Sequence, residues 1–251
     1  MSIFNNQFIW KLGKKAYKTP GGQYYDIFQD MLDQTHLLIA GSTGSGKSVL
    51  INGLITTALL QSPAKYEFIF IDLKRVELNE YRHLPHTGMY ADDIDSAIKA
   101  LEFTLKVIEN RYQEMQRKHL KFYQGSAVYL VIDELADLMT TDKKHVKPLL
   151  QRIAQIGRAA NVHIIAATQC PLSTVIPTEI KVNFDSRVGL RTRSAQDSRN
   201  ILGFSGCEQL PQYGQGFYMK PGETQLYNIP TYSIFDKQRL INWWMSKECY
   251  A

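Results

Sequence analysis

The sequence predicts an α/β fold in which a mostly parallel sheet is covered by helices on both faces. Short, continuously apolar segments alternate with amphipathic helical patterns as far as residue 168. Uninterrupted apolar strands are expected where helices cover both faces of a parallel sheet. After residue 185 the pattern changes to short segments separated by turn residues, which predicts antiparallel strands near the C-terminus.

Four apolar segments are predicted to form the parallel strands: HLLIAG (36–41), FIFID (68–72), VYLVID (128–133) and HIIAAT (163–168). A helix is expected after Lys47, and a long one begins near Asp92 or Asp93, either of which can cap it. The long helix is predicted because apolar residues recur at spacings of three and four from Ile94 to Met115. A further amphipathic helix precedes the fourth strand, with an apolar face made of Val146, Leu149, Leu150, Ile153 and Ile156.

The remaining elements belong to the C-terminal part. A short helix is predicted near Ser194 to Leu202, and a hairpin is predicted around Pro221 and Gly222, between GFYM and QLYNI. With 251 residues and no linker rich in Gly, Ser or Pro, we expect an N-terminal extension over 1–35 that leads into a single domain over 36–251.

Composition excludes several classes of protein. Hydrophobic residues make up 44% and charged residues 21%, which excludes a disordered chain. Apolar runs such as 36–40 and 128–132 are far shorter than the roughly 18 residues of a membrane helix. The N-terminus has the wrong residue order for a secretory signal, so no membrane insertion and a cytoplasmic location are expected. Cys170, Cys207 and Cys249 are widely spaced and indicate neither disulfides nor a zinc site.

One eight-residue motif predicts nucleotide binding. It fits GxxxxGK[ST] directly after a predicted strand and at the start of a predicted helix. Glycines let the backbone wrap a phosphate, and the helix N-terminus supplies positive potential. Lys47 is expected to reach the β and γ phosphates of ATP, and the Ser48 hydroxyl to ligate Mg²⁺. The motif, here called the P-loop, consists of Gly41, Ser42, Thr43, Gly44, Ser45, Gly46, Lys47 and Ser48.

Two acids at the end of the third strand indicate hydrolysis. Asp133 is expected to serve the Mg²⁺ ion at the carboxyl edge of the sheet, as in other P-loop proteins. Glu134 points elsewhere because side chains alternate along a strand, and it can activate a water beside the γ-phosphate. A helix N-cap is the alternative role for these acids. Gln169 follows the fourth strand, where its amide is placed to sense the γ-phosphate.

The excess of positive charge lies in one stretch. Residues 142–200 hold ten Lys and Arg against four Asp and Glu. This density suits a polyanion site, and a solvated basic face is the alternative. Arg158 follows an amphipathic helix, where it can cap helix carbonyls or reach the γ-phosphate of a neighbouring subunit as an arginine finger. The sequence alone leaves both alternatives open.

Taken together, these residues resemble the motor domain of the FtsK/SpoIIIE family of double-stranded DNA translocases, within the HerA/FtsK group of P-loop ATPases. The resemblance runs from about Leu12 to near Ile229. The segments that carry it are HLLIAGSTGSGKSVLIN, FIFIDLKRVELNEY, IENRYQEM, YLVIDELADLM, LLQRIAQIGRAANVHIIAATQ, IKVNFDSRVGLRT and DSRNIL.

The resemblance implies a RecA-like core that forms a ring, expected to be a hexamer, with ATP at subunit interfaces and double-stranded DNA in the pore. Carried over by position, the residues that serve ATP are Lys47, Ser48, Asp133, Glu134 and Gln169, with Arg158 as the finger in trans. Lys181 and Arg199 are implied to face DNA. The family usually reads TQRP where this chain has Thr168-Gln169-Cys170-Pro171, so a cation is missing, and Arg193 is the residue that can compensate for it.

Longer members of the family carry membrane helices and a DNA-reading domain beside the motor. This chain resembles a minimal motor of a mobile element or plasmid, to which partner proteins supply membrane attachment or DNA recognition. Two other functions remain open. One is a viral genome-packaging ATPase with the same catalytic groups, and the other is an ATP-dependent assembly module that does not pump DNA.

Overall fold

The computed structural model describes residues 9–18, 24–30, 35–60, 63–212, 214–228 and 234–248. The strands are β1 (Ile9–Lys18), β2 (Tyr24–Asp30), β3 (Leu37–Ala40), β4 (Tyr66–Ile71), β5 (Thr87–Ala91), β6 (Ala127–Ile132), β7 (Val162–Thr168), β8 (Ser186–Gly189), β9 (Gln215–Lys220) and β10 (Glu223–Asn228). The α-helices are α1 (Lys47–Leu59), α2 (Ile94–Arg117), α3 (Leu135–Thr141), α4 (Lys143–Ile156), α5 (Thr178–Lys181), α6 (Ala195–Leu202) and α7 (Ile234–Glu248).

The strands form one ten-stranded sheet in the order β2-β1-β10-β9-β8-β3-β7-β6-β4-β5. All pairs from β8 to β5 are parallel, whereas β9, β10, β1 and β2 continue the sheet as antiparallel strands. The predicted fold class, a mostly parallel sheet with antiparallel strands near the C-terminus, is confirmed. The P-loop strand β3 lies inside the sheet, between β7 and β8.

Two apolar cores cover the two faces of the sheet. Leu37 and Ile39 of β3 face a core that includes α1 and Ile241 of α7, whereas Leu38 faces the core built with α2, α3 and α4. This division follows from the strand geometry, since successive side chains point to opposite faces. Helices therefore bury both sides of the central strands, which explains why their sequences are continuously apolar.

Asp93 caps α2 through a hydrogen bond from the Ser96 amide to its carboxylate, at 2.7 Å. The cap and the apolar face predicted for this helix agree with the structure, because Leu101, Ile108 and Met115 are buried. The sequence did not predict β1, β2, β5, α5 or α7. Cys249 lies outside the described residues. Among the helices that the structure describes, none is both long and apolar enough to cross a membrane.

Candidate active site

Five adjacent strands bring chemically active residues to one edge of the sheet. The strands β8, β3, β7, β6 and β4 are parallel neighbours, so their carboxyl ends lie side by side. Across that edge the chain places, in order, Arg191 after β8, Gly41 after β3, Gln169 after β7, Asp133 after β6 and Asp72 after β4. Ligand sites of open α/β sheets lie at this carboxyl edge.

The P-loop is tightly packed at its first residue, and two later glycines have left-handed backbone angles. A Cβ on Gly41 would lie 2.5 Å from Ser45 Oγ and 2.8 Å from Leu190 Cβ, so only glycine fits there. Gly44 and Gly46 have φ angles of 73° and 100°, in the left-handed region that favours glycine. The Ser42 amide donates to the Arg191 carbonyl at 2.8 Å, which fixes the loop against the end of β8.

The first turn of α1 fits an anion. Its N-cap residue is Gly46, which provides no capping side chain, and the turn contains no acidic residue. The first amides of a helix have no partner within the helix, and the helix dipole adds positive potential there. A phosphate group supplies the acceptors that these amides need, so the loop fits the triphosphate that its sequence predicts.

Lys47 lies beneath the loop. Its ammonium group donates to the Gly41 carbonyl at 2.7 Å and to the Ser42 carbonyl at 2.9 Å. Burial lowers the pKa of Lys47, and the nearby carboxylates of Glu134 and Asp133 oppose that shift. Since an ammonium group has three donors, one remains for a phosphate oxygen.

Glu134 connects the end of β6 to the end of β7. Its carboxylate accepts hydrogen bonds from the Thr168 hydroxyl at 2.8 Å and from the Gln169 amide at 3.0 Å. It is also the N-cap of α3, accepting from the Ala136 amide at 3.4 Å. The sequence offered a catalytic role and a capping role for this position, and the structure shows the capping contact directly.

Gln169 lies over the P-loop. Thr43 Oγ1 donates to Gln169 Oε1 at 2.7 Å, so the amide side chain contacts the exposed tip of the loop. The backbone amide of the same residue binds Glu134. One residue therefore contacts both the phosphate-binding loop and the acid proposed to activate water.

The carboxylates at the end of β6 and β4 form an acidic cluster. Burial, and then the neighbouring Asp72, Glu77 and Glu134, raise the pKa of Asp133 to about 7. Asp72 is fully buried; its Oδ2 accepts from the Leu78 amide at 2.9 Å, and its Oδ1 has no hydrogen-bond partner among the described residues. No sequence motif assigns a role to Asp72, although its position directly after the apolar strand β4 resembles that of Asp133 after β6.

Among the described residues, no group of three or more His, Cys, Asp or Glu side chains is placed to hold a metal ion by itself. A Mg²⁺ ion that binds together with a nucleotide needs only one or two protein ligands, because phosphates and waters supply the rest. Hydroxyl and carboxylate oxygens are the protein ligands that Mg²⁺ prefers, and a cation would relieve the repulsion among these acids. Ser48, the second residue of α1, and Asp133 are the residues that would hold the ion. A bound Mg²⁺ would neutralise charge on the β and γ phosphates.

Lys181 was expected to face DNA, and the structure contradicts this. Its side chain is 4% exposed. Its ammonium donates to the Pro171 carbonyl at 2.8 Å and to Ser173 Oγ and the Asn200 carbonyl, both at 3.2 Å. All three of its donors are thus matched inside the protein, and we assign Lys181 to holding the segment after β7 against α5 and α6.

The other two predicted DNA contacts, Arg193 and Arg199, are exposed. Arg193 follows β8 and Cys170 follows β7, so they lie on opposite sides of the P-loop strand. Arg199 lies on α6 and donates to Gln196 at 3.3 Å. Arg187, in the same basic stretch, is half-buried and donates to the carbonyls of Ile201 and Lys181. Part of the positive charge is therefore internal.

Arg158 lies at the opposite edge of the sheet from the P-loop of its own chain. It is exposed and precedes β7 (Val162–Thr168), whose carboxyl end carries Gln169. Seven strand residues at about 3.3 Å each separate the two edges by roughly 20 Å. Arg158 is therefore too far from its own P-loop to contact a phosphate bound there.

Comparison with known proteins gives consistent matches. The profile of the FtsK/SpoIIIE family matches residues 17–125 and 119–173, together more than half of the chain. DNA translocase FtsK of Staphylococcus epidermidis is 37% identical in an alignment of 248 positions that covers 88% of this chain and 31% of that protein. DNA translocase FtsK of Rhizobium meliloti is 35% identical in an alignment of 256 positions that covers 84% of this chain and 29% of that protein. The chain thus spans about a third of the length of these relatives.

Solved structures show the same fold at low identity. The conjugation coupling protein TcpA of pCW3, in a monomer form with ATPγS, has a TM-score of 0.80 at 21% identity, covering 94% of this chain and 70% of that one. EssC (ATPases 2 and 3) from Geobacillus thermodenitrificans has a TM-score of 0.80 at 17% identity, covering 98% of this chain and 50% of that one. Both support the P-loop ATPase fold.

Proposed function

The chain belongs to the FtsK/SpoIIIE family of P-loop ATPases, and from that premise we propose that it hydrolyses ATP to move double-stranded DNA through a ring of its own copies. The observation that carries this proposal is the arrangement of Lys47, Glu134 and Gln169 around the P-loop. It supplies a phosphate-binding cation, an acid for water activation and an amide between the two.

The proposed chemistry is attack of a water on the γ phosphorus, which forms a bond to the water oxygen and breaks the bond to the oxygen that bridges the β and γ phosphates, so that ADP leaves. The P-loop amides and Lys47 bind the phosphates, and Ser48 and Asp133 would hold a Mg²⁺ ion that neutralises phosphate charge. Glu134 orients the attacking water and accepts its proton. Its Oε2 accepts the Gln169 amide at 3.0 Å, and because a carboxylate oxygen has two lone pairs, it can also accept a hydrogen bond from water.

Gln169 is proposed to report the state of the γ-phosphate. Its side chain contacts Thr43 of the P-loop and its amide contacts Glu134. A phosphate bound in the P-loop would compete with the hydrogen bond between the Thr43 hydroxyl and the Gln169 side chain, since both groups lie at the exposed tip of the loop. Loss of the γ-phosphate would then change the contacts of Gln169 and, with them, the position of the segment after β7, which contains Cys170 and precedes α5.

A ring is proposed because Arg158, the residue expected to act as an arginine finger, lies too far from the P-loop of its own chain to reach a phosphate there. Arg158 is exposed at the edge of the sheet opposite to the P-loop. A neighbouring copy that presents this edge would bring its Arg158 to the γ-phosphate, where an arginine finger accelerates hydrolysis by about 10³ to 10⁵. The proposed assembly is a hexamer.

The proposed DNA contacts are Arg193 and Arg199, which are exposed within the basic stretch 142–200. They would contact phosphates, because a motor that moves along any sequence cannot depend on base recognition. We further propose a single motor domain over 36–251, whose sheet is continued by β1 and β2 of the extension over 1–35, and a cytoplasmic location.

ATP turnover measured with and without duplex DNA tests this proposal. Duplex DNA of arbitrary sequence should raise turnover of the unaltered chain, and Arg193→Ala with Arg199→Ala should remove that increase while basal turnover remains. Exposed Lys144→Ala is the matched control, since it lies in the same basic stretch and should leave the stimulation intact. Turnover that is indifferent to DNA would instead favour an assembly module that does not pump DNA.

A further inference from the structure

The turn that carries Arg158 is held by hydrogen bonds along its whole backbone. The five carbonyls of residues 157–161 all accept a hydrogen bond. Gly157 is also required sterically, because a Cβ there would lie 2.6 Å from the Val162 carbonyl oxygen. The donors are the amides of Val162, Asn161, Tyr123 and Val128 and the guanidinium of Arg111.

Arg111 of α2 supplies the side-chain part of this support. Its side chain is buried, at 7% exposed. Nη1 donates to the Ala160 carbonyl at 2.8 Å and to the Asn161 carbonyl at 3.0 Å, and Nη2 donates to Ser126 Oγ at 3.4 Å. The three acceptors are uncharged, so this burial is not explained by a salt bridge.

Tyr123 covers the same guanidinium from the other side. The Arg111 guanidinium carbon lies 4.3 Å from the centre of the Tyr123 ring, a distance at which a cation and an aromatic face attract each other. The Tyr123 amide donates to the Ala159 carbonyl at 2.8 Å. Arg111 and Tyr123 therefore clamp the turn at three consecutive carbonyls.

Burying the Arg111 guanidinium without a hydrogen-bonded carboxylate has a cost. Burial lowers the pKa of Arg111, although the nearby side chains of Tyr123, Glu67 and Glu114 oppose that shift. A neutral residue of α2 could fill the same volume without this penalty. What Arg111 provides is a fixed geometry, because its rigid planar guanidinium holds the carbonyls of Ala160 and Asn161 in one position.

We propose that Arg111 is a positioning residue, which holds the 157–161 turn so that Arg158 reaches the nucleotide of a neighbouring copy in one fixed geometry. The inference rests on the proposed role of Arg158 in trans. A displacement of about 1 Å can cost on the order of 100-fold in rate. Loss of the Arg111 clamp should therefore affect the neighbour's ATP site and spare the site of its own chain.

Mixed rings separate these two effects. Lys47→Ala subunits should bind ATP only weakly but still present Arg158, whereas Arg158→Ala subunits keep an ATP site but lack the finger. Mixed, they should restore turnover at some interfaces. Adding Arg111→Met to the Lys47→Ala subunit should reduce the restored turnover by roughly tenfold to 100-fold. Adding it to the Arg158→Ala subunit should leave the restored turnover within about twofold.

The control is Arg117→Met, the same substitution at an exposed position of the same helix. Introduced into the Lys47→Ala subunit, it should preserve the restored turnover. If Arg111→Met subunits fail to enter rings, as judged by size, Arg111→Lys replaces them. It keeps the charge and one donor arm, so it should lower restored turnover only when placed in the finger-donating subunit.

Two results would overturn the inference, and they differ. Equal loss from Arg111→Met in either partner would show a general structural role and refute the positioning role alone. If Lys47→Ala and Arg158→Ala subunits form mixed rings without any restored turnover, the trans role of Arg158 in the proposed function is wrong, and the positioning role is wrong with it.

Discussion

At the level of a single residue, Glu134 combines a structural role with the proposed catalytic role. Its carboxylate caps α3 and joins the ends of β6 and β7 through Thr168 and Gln169. These contacts fix its position without neutralising its charge, since the donors are amides and a hydroxyl. A carboxylate held in this way is preorganised to orient a water and accept its proton.

Replacing Glu134 with Gln should abolish most hydrolysis and preserve ATP binding. The amide oxygen can still accept from Thr168 or Gln169, but the general base is lost, which should lower kcat by about 10² to 10⁴. Turnover and nucleotide affinity measured on the same preparation test this. Lys47→Ala is the comparison, because it should weaken binding itself, and near-normal turnover of Glu134→Gln would remove Glu134 from the mechanism.

A second residue-scale feature is a pair of buried neutral histidines at the opposite edge of the sheet. His36 Nδ1 accepts from the Ile164 amide at 2.9 Å, and its Nε2 bonds to the Ala154 carbonyl at 3.0 Å. The ring nitrogens of His163 lie 3.1 Å from the Thr35 carbonyl oxygen and 2.8 Å from Asn161 Oδ1, and the neutral ring, which has one N–H, donates to one of these two oxygens. Burial lowers the pKa of His36 to about 4 and that of His163 to about 3.

These pKa shifts predict a loss of stability in mild acid. Above about pH 6.5 both histidines are neutral in the folded and unfolded chains, so their contribution is fully present. As pH falls from there toward about pH 4, only the unfolded chain binds the protons. The free energy of unfolding should therefore fall by about 1.4 kcal/mol per pH unit for each histidine.

Urea unfolding of His163→Gln between about pH 6 and about pH 4.5 measures this contribution. The free energy of unfolding of the variant should fall less steeply with decreasing pH than that of the unaltered chain, and the difference in slope should correspond to about one proton. His83→Gln, at an exposed position, should leave the slope unchanged. A slope that is equal in all three proteins would contradict the assignment of neutral, buried histidines.

At the scale of elements, Lys181 of α5 and Arg199 of α6 lie on neighbouring helices, but Lys181 is buried and Arg199 is exposed. Lys181 of α5 binds the carbonyls of Pro171 and Asn200, so it joins the segment after β7 to α6. Arg199 of α6 is exposed. One cation therefore maintains the arrangement of these elements, and the other is available to a polyanion.

Substitution should separate the two. Lys181→Met leaves buried carbonyls without a donor and should lower the free energy of unfolding by about 1 to 3 kcal/mol. Arg199→Ala should change stability by less than about 0.5 kcal/mol, yet reduce the slope of log DNA affinity against log salt by about one per engaged subunit. If Arg199→Ala leaves that slope unchanged and lowers basal turnover, Arg199 belongs to the nucleotide interface instead.

The sequence was most informative where local pattern and function coincide. The P-loop, the apolar strands β3, β4, β6 and β7, and the cap of α2 follow from spacing and residue type alone. Strand β5 has the sequence TGMYA and lacks the apolar run of the other parallel strands. It lies at one edge of the sheet and is half-buried. The role of Lys181 could not be predicted, since its acceptors lie at residues 171, 173 and 200 and only the tertiary fold brings them together.

At the scale of the whole molecule, the nucleotide site and the Arg158 turn occupy opposite edges of one sheet. Completion of each site by the next copy therefore requires a head-to-tail contact. Such contacts join two different surfaces and close into rings when the rotation between copies allows it. The hydrogen-bonded 157–161 turn and the P-loop are the two ends of this proposed contact.

The fold itself does not identify the substrate of the proposed ring. TcpA, a conjugation coupling protein, and EssC both share it at TM-scores of 0.80. The choice of DNA as the substrate rests on membership in the FtsK/SpoIIIE family and on the exposed arginines of the basic stretch. ATP turnover alone cannot demonstrate movement, because a ring could hydrolyse ATP on stationary DNA.

Displacement of a third strand from a DNA triplex tests the central claim most directly. With ATP, the unaltered chain should remove the third strand from a triplex that has a duplex arm on which the ring can load. Glu134→Gln, which should still bind ATP, should remove none. DNA-stimulated turnover of the unaltered chain without any displacement would contradict the proposal that this protein is a DNA translocase.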